Sequence, residues 1–185
     1  MKTHALTAVV ALFAITACNR TERTETEENQ IAASDVFNNA TGAGVTETGT
    51  VDSAFVTDAI KGDNGEVAIG NLAQAQGQSR AVKDFGKLLV SDHGAHKQEL
   101  AALASSAGVS VTDEPTDEAK ANLTKLEALH GTEFDKQFKM MMIEDHKKDI
   151  AKYEKQASSS DPQTAALAQK TLPTLRKHLD AANAL

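Results

Sequence analysis

Residues 79–108 read SRAVKDFGKLLVSDHGAHKQELAALASSAG. Val82, Phe85, Leu89, Leu100 and Leu103 recur at the three- and four-residue spacing that puts apolar side chains on one face of an α-helix. Ser79 sits where an N-cap belongs, and Gly108 follows the last periodic residue as a helix stop. His96 falls in the middle of that apolar face, with Asp92 and His93 flanking it. A long amphipathic helix with imidazoles on its buried side sets two questions: what it packs against, and what the imidazoles meet there.

The same pattern extends on both sides. Upstream, a helix is predicted from about Ser53 to Gln76, capped by Asp52 or Ser53 and ended by Gly77. Phe55, Ala59, Ile69 and Ala73 share its face, and Glu66 lies among them. Downstream, Thr116 caps a short helix to about His130, stopped by Gly131. Thr132-Glu133-Phe134-Asp135 reads as a capping box opening a further helix to about Ala157. On it Phe138, Met141, Met142, Ile150 and Tyr153 form the face, and Asp145, His146 and Asp149 lie within it. A last helix is predicted from Pro162 to about Leu185, with Leu172, Leu175, Leu179 and Ala182 on one face and His178 at its edge. Pro173, inside it, is expected to kink the helix.

Four of these segments are long and similar, and the short one lies between the second and fourth. Brief connections make the first pair and the last pair antiparallel, while the middle connection is long enough to run back along the bundle. The expected fold is therefore all-α, a ferritin-like antiparallel four-helix bundle with a short extra helix in the crossover, over residues 51–185.

Residues 1–50 have a different composition. Lys2 and His4 precede an apolar run, Ala5–Ala17, too short to span a bilayer and suited to a secretory signal. It ends Ile15-Thr16-Ala17-Cys18, which resembles the lipobox of bacterial lipoproteins. The resemblance implies a signal peptide over 1–17, cleavage before Cys18 and a lipid on its sulfur. Asn19 rather than Asp after it resembles the Gram-negative sorting pattern for the outer membrane. Residues 18–50, rich in Thr, Glu, Asn and Gly, are expected to form a disordered tether. The expected location is the cell envelope, lipid-anchored and facing the periplasm. Cys18 is the single cysteine among 185 residues, so no disulfide within the chain can staple the fold.

Composition excludes several functions. The formal charge is −7, and no basic surface for nucleic acid is legible. Gly-rich phosphate loops, cysteine pairs and serine elbows are missing from the sequence. No reaction is legible, so the question of enzyme activity stays open with the reading leaning toward a binding or structural protein, and protein partners are left open. Aromatics are 4% of the chain, and Met140–Met142 read as core filler rather than a copper site. His130, in Glu127-Ala128-Leu129-His130, ends the short helix and reads as a decoy for a Glu-x-x-His metal motif.

The mid-helix polar residues are the functional clue. Helix midpoints meet at one level in such a bundle, so Glu66, Asp92, His93, His96, His146 and His178 can converge. A buried carboxylate is costly unless paired or bound to metal, and imidazoles beside it suit Zn, Fe, Mn or Cu. A hydrogen-bond network that merely fixes helix register is the alternative. In that case each histidine should be bonded to a carboxylate or a backbone carbonyl.

Four ordered motifs carry a family resemblance. They are Phe55-Val56 with Gly65-Glu66-Val67, Gly70 and Leu72-Ala73; Asp92-His93 with Glu99-Leu100; Gly131 with Phe134-Asp135 and Asp145-His146; and Leu172-Pro173 with Leu175 and His178-Leu179. Together, over about residues 53–185, they resemble the domain of unknown function 4142 family, whose members often carry an outer-membrane label. The resemblance implies a ferritin-like helical fold and an envelope location, and it implies no activity. Its motif positions on this chain are Glu66, Asp92, His93, His146 and His178, whereas His96 rests on helix geometry alone. The His-rich set departs from the Glu-rich di-iron site of true ferritins, which puts ferroxidase chemistry in doubt.

Overall fold

A computed structural model describes residues 51–185. The expected signal peptide, lipidated Cys18 and tether lie outside the described residues. Among those described, the chain is all-helical: α1 Ser53–Gln76, α2 Arg80–Ser106, α3 Asp117–Glu127, α4 Gly131–Ala157 and α5 Pro162–Ala184.

The helix ends follow local chemistry. Asp52 accepts a hydrogen bond from the Phe55 amide at 3.0 Å, and Ser79 and Thr116 cap α2 and α3 through the amides of Val82 and Ala119. Asp161 caps α5 ahead of Pro162, accepting from the amides of Gln163 and Thr164. One expectation fails. No capping box opens α4: the helix starts at Gly131, and its cap residue, His130, makes no side-chain cap bond. Gly131 adopts φ +60°, a conformation that favours glycine. Asp135 reaches across instead and accepts from the amides of Gln78 and Ser79, both at 2.8 Å, so it ties the start of α4 to the α1–α2 turn.

α1 packs chiefly against α2, and α4 against α5. The first pair approaches closely at Gly70 and Gly86. A Cβ on Gly70 would lie 2.7 Å from the Gly86 carbonyl oxygen, and one on Gly86 would lie 2.6 Å from that of Gly70. Only glycine permits this crossing. Gly65, one turn away, faces α3, where an added Cβ would fall 2.5 Å from Ala119 Cβ.

The apolar interior is divided in two. One cluster holds Ile69, Phe85, Leu89, Phe138 and Met142; the other holds Phe55, Ile60, Leu100, Tyr153 and Leu172. α1 runs from the second cluster to the first, α2 and α4 run from the first to the second, and α5 runs back. The two long-helix pairs are therefore each antiparallel, with α2 and α4 pointing the same way. Between the clusters lies a polar layer: Asp63 and Glu66 on α1, His93 on α2, His146 on α4 and His178 on α5, all buried.

Candidate metal centre

The three histidines of this layer come from three helices and face one another. Ring centroids are 5.8 Å apart for His93 and His146, 5.3 Å for His93 and His178, and 5.2 Å for His146 and His178. The Phe85 ring stands 6.3 Å from that of His146 and 6.1 Å from that of His178, extending the apolar cluster up to the imidazoles. His146 is 0% exposed and His178 1%.

Each ring is held from outside by one nitrogen. His93 Nδ1 donates to Asp63 Oδ1 at 2.8 Å, His146 Nδ1 to the Met142 carbonyl at 2.9 Å, and His178 Nε2 to Asp92 Oδ2 at 2.9 Å. A carboxylate or carbonyl only accepts, so these bonds fix a proton on the bonded nitrogen and, wherever the ring is neutral, leave the other as a lone-pair donor. The other nitrogens, His93 Nε2, His146 Nε2 and His178 Nδ1, are buried with no hydrogen-bond partner among the described residues. One ring nitrogen from each residue lies within 4.8 Å of the others, an arrangement that can hold a metal ion. Tetrahedral zinc separates two nitrogen ligands by about 3.3 Å, given Zn–N bonds of ~2.0–2.1 Å. The nitrogens would have to draw together to reach that separation. Metal-binding histidines characteristically donate their second nitrogen to a carboxylate or carbonyl, as all three do here.

Electrostatics favour two neutral imidazoles. Burial, with the neighbouring His93 and His178 charges, drives His146 down to about 3. Burial also lowers His178, outweighing its bond to Asp92. His93 differs. Burial opposes its charge, but the Asp63 hydrogen bond and the Glu66 and Asp63 charges prevail and raise it to about 8. Asp63 resists its own burial through bonds to His93 and His96, so its carboxyl stays below the usual range.

The six residues predicted from sequence do not all share one role. His93, His146 and His178 form the group. Asp92 is an outer partner that orients His178 rather than a member of the group. His96, placed by sequence at the centre of the α2 face, is displaced from it. Its Nδ1 donates to Asp63 Oδ2 at 2.8 Å, its ring lies 5.7 Å from that of Tyr153, and its Nε2 has no partner. Glu66 is buried in the layer but is not one of the three clustered groups. Its Oε2 has no partner among the described residues, and burial pushes its carboxyl up to about 8. His130 also stays outside the group, at the start of α4. Met141 and Met142 are core residues, and Met140 is exposed.

Asp63 was missed. One carboxylate of α1 holds both α2 imidazoles, one on each oxygen. It sits four residues after Ala59 and three before Glu66, which is the spacing of the buried face. Its neighbours Lys61, Gly62, Asn64 and Gly65 disguise it as part of a solvated stretch. Asn64 is buried too, donating to the carbonyls of Thr112 and Glu114 and so pinning the α2–α3 loop.

A small cavity of about 20 Å³ adjoins the histidines, bordered by Asp63, Asp92, His93, His96 and His178. That is room for about one water molecule. An all-helical domain whose mid-level polar layer presents three inward, unpartnered imidazole nitrogens defines the class of protein. The chain belongs to the family described as a domain of unknown function (DUF4142), whose model matches residues 38–185. No curated protein and no solved structure matches it significantly.

Proposed function

We infer that this protein is an envelope-anchored lipoprotein whose ferritin-like four-helix bundle binds one transition-metal ion through His93, His146 and His178. The observation that carries the metal reading is the set of three buried ring nitrogens left without partners and turned toward one another. Each buried, unsatisfied nitrogen costs about 1–3 kcal/mol, and a single ion relieves all three. An all-imidazole donor set favours Zn, Cu or Fe over hard oxygen-seeking ions. Asp63 and Asp92 supply negative charge one bond away, which offsets that of a dication. The adjoining cavity, bordered by His93 and His178, has room for about one water beside the group. The role is metal handling or metal-dependent stress protection in the envelope.

A structural network is the second reading, because every histidine of the group does bond a carboxylate or a carbonyl. The inward nitrogens weigh against it, since a network built only for register has no reason to leave them unpartnered. Elemental mass spectrometry on protein purified without a metal-binding tag separates the two. Near-stoichiometric metal, lost in His146→Asn and His178→Gln with helicity intact, is the expected result. No tight binding of Zn, Cu, Fe or Mn overturns the metal reading. The anchoring reading rests on the lipobox-like Ile15-Thr16-Ala17-Cys18. It predicts labelling by a palmitate analogue that Cys18→Ser abolishes, and labelling that survives this change would refute it.

A further inference from the structure

A second cavity, of about 270 Å³, lies between α1, α3 and α4. Its charge is unbalanced. Five lining residues are carboxylates and two are lysines, and both lysines are already engaged. Lys148 is held by Glu118 at 2.7 Å, and Lys152 by Asp58 at 3.0 Å and Asp149 at 3.1 Å. Two carboxylates remain, Glu66 from α1 and Asp145 from α4, with no ion-pair partner among the described residues. Asp149 follows Asp145 by four residues, on the same face of α4. Glu66 is 5% exposed, and its Oε2 is buried with no hydrogen bond from the described residues. A carboxyl buried in that state keeps its proton unless a cation or water meets it, so a cation entering here would take the proton's place.

The backbone around Glu66 is shaped to keep this space. Gly65 lets Ala119 of α3 approach, which brings α3 over the cavity. Gly62 has nothing within 4 Å of where a Cβ would be, so the wall there is open. Gly62, Asp149 and Lys152 also border the small cavity beside His93 and His178. The two spaces therefore share a wall.

We propose that this cavity is a second cation site, in which Glu66 and Asp145, with Asp149 beside them, hold a hydrated hard divalent ion such as Mg²⁺ or Mn²⁺. Carboxylate oxygens select that class of ion, whereas the imidazole group selects softer metals. These oxygens do not converge as tightly as the three imidazole nitrogens. That suits an ion that keeps several of its waters and takes only one or two carboxylates directly. The volume accommodates those waters, being many times the ~10–15 Å³ that one needs. This site stands independently of the histidine reading.

The test is a Mn²⁺ titration of the purified protein followed by electron paramagnetic resonance, in which bound Mn²⁺ loses the six-line signal of the free ion. One equivalent of Zn²⁺ is added first to occupy the histidine group. The expected result is one Mn²⁺ per chain, weakened at least tenfold by Glu66→Gln and by Asp145→Asn but retained in His146→Asn. Circular dichroism confirms that each variant is folded, and the half-exposed Asp145 provides a variant independent of core packing. No Mn²⁺ bound to the zinc-loaded protein overturns the proposal, as does binding that both carboxylate variants leave unchanged. If Glu66→Gln instead removes zinc, Glu66 is a ligand of the histidine group and the second site is wrong. Should wild-type protein bind no zinc, the titration is run without it. Mn²⁺ binding unchanged in His146→Asn then supports the carboxylate site while the histidine reading alone fails.

Discussion

Replacing His146 by asparagine isolates the inward nitrogen. The asparagine amide can still donate to the Met142 carbonyl, as His146 Nδ1 does at 2.9 Å, but nothing replaces Nε2. In metal-free protein two effects oppose each other. The smaller side chain leaves a void at a fully buried position, while one unpartnered nitrogen disappears, worth about 1–3 kcal/mol. Metal-free wild type and variant should therefore melt within about 2 kcal/mol of each other. Metal separates them. A ligand at a thousand times its Kd stabilises the native state by about 4 kcal/mol. For a helical unit of this size each kcal/mol moves Tm by roughly 3–5 °C, so zinc should raise the wild-type Tm by about 12–20 °C. The assay is thermal unfolding followed by circular dichroism at 222 nm, after chelator treatment and then with Zn²⁺, Cu²⁺, Fe²⁺ or Mn²⁺ added. His146→Asn should lose most of the shift. An equal zinc shift in the variant, or no shift in wild type with any of the four ions, refutes the reasoning.

Other outcomes follow from the same geometry. His93 is raised to about 8, so at pH 7 it carries a proton that an incoming metal must displace. Calorimetry in buffers of different ionisation enthalpy should show about one proton released per metal, and release well below one would mean that His93 is not a ligand. Glu66 has a folded pKa of about 8 against 4.5 for its ordinary carboxyl, so between those values the native state binds more protons than the unfolded state. Its contribution to stability therefore falls as pH rises from about 4.5 to 8. Glu66→Gln should flatten that decline and stabilise metal-free protein at pH 8 by about 2–5 kcal/mol, whereas denaturant unfolding with parallel pH profiles for both proteins would contradict it. Gly62→Ala meets nothing and should stabilise α1 by up to about 1 kcal/mol, while Gly70→Ala drives a methyl against the Gly86 carbonyl and should destabilise by about 1–3 kcal/mol. Chemical denaturation of the pair checks both signs.

The helices were legible because their signals are local. Asp52, Ser79, Thr116 and Pro162 mark starts by cap chemistry, and the apolar spacing needs nothing from elsewhere in the chain. Where the sequence misled, the cause was tertiary. Thr132 to Asp135 has the letters of a capping box, yet Asp135 finds better donors in the α1–α2 turn, which no local window contains. The histidines were legible as a mid-helix set, because a polar residue on an apolar stripe is anomalous wherever it occurs. Which of them meet was not legible. A rotation of a few tens of degrees about α2 decides between His93 and His96, and that rotation is set by packing against α1. Asp63 escaped for a related reason, since its burial comes from the close α1–α2 approach and not from its neighbours in sequence.

That close approach works as a length gauge. From the crossing of Gly70 and Gly86, Asp63 lies seven residues back along α1, and His93 lies seven residues forward along α2. The helices run oppositely, so both steps go the same way, roughly 10.5 Å at 1.5 Å per residue. Two turns of helix on each side are matched, like equal marks on two rulers clamped at one point. Slippage by a single residue would shift one ruler by about 1.5 Å. It would break the 2.8 Å contact between Asp63 and His93 and loosen the imidazole that the carboxylate aims. A pair of residues with no side chains thus calibrates a site that neither one touches, and damage at the clamp should appear first as lost aim at the histidines, before the helices come apart.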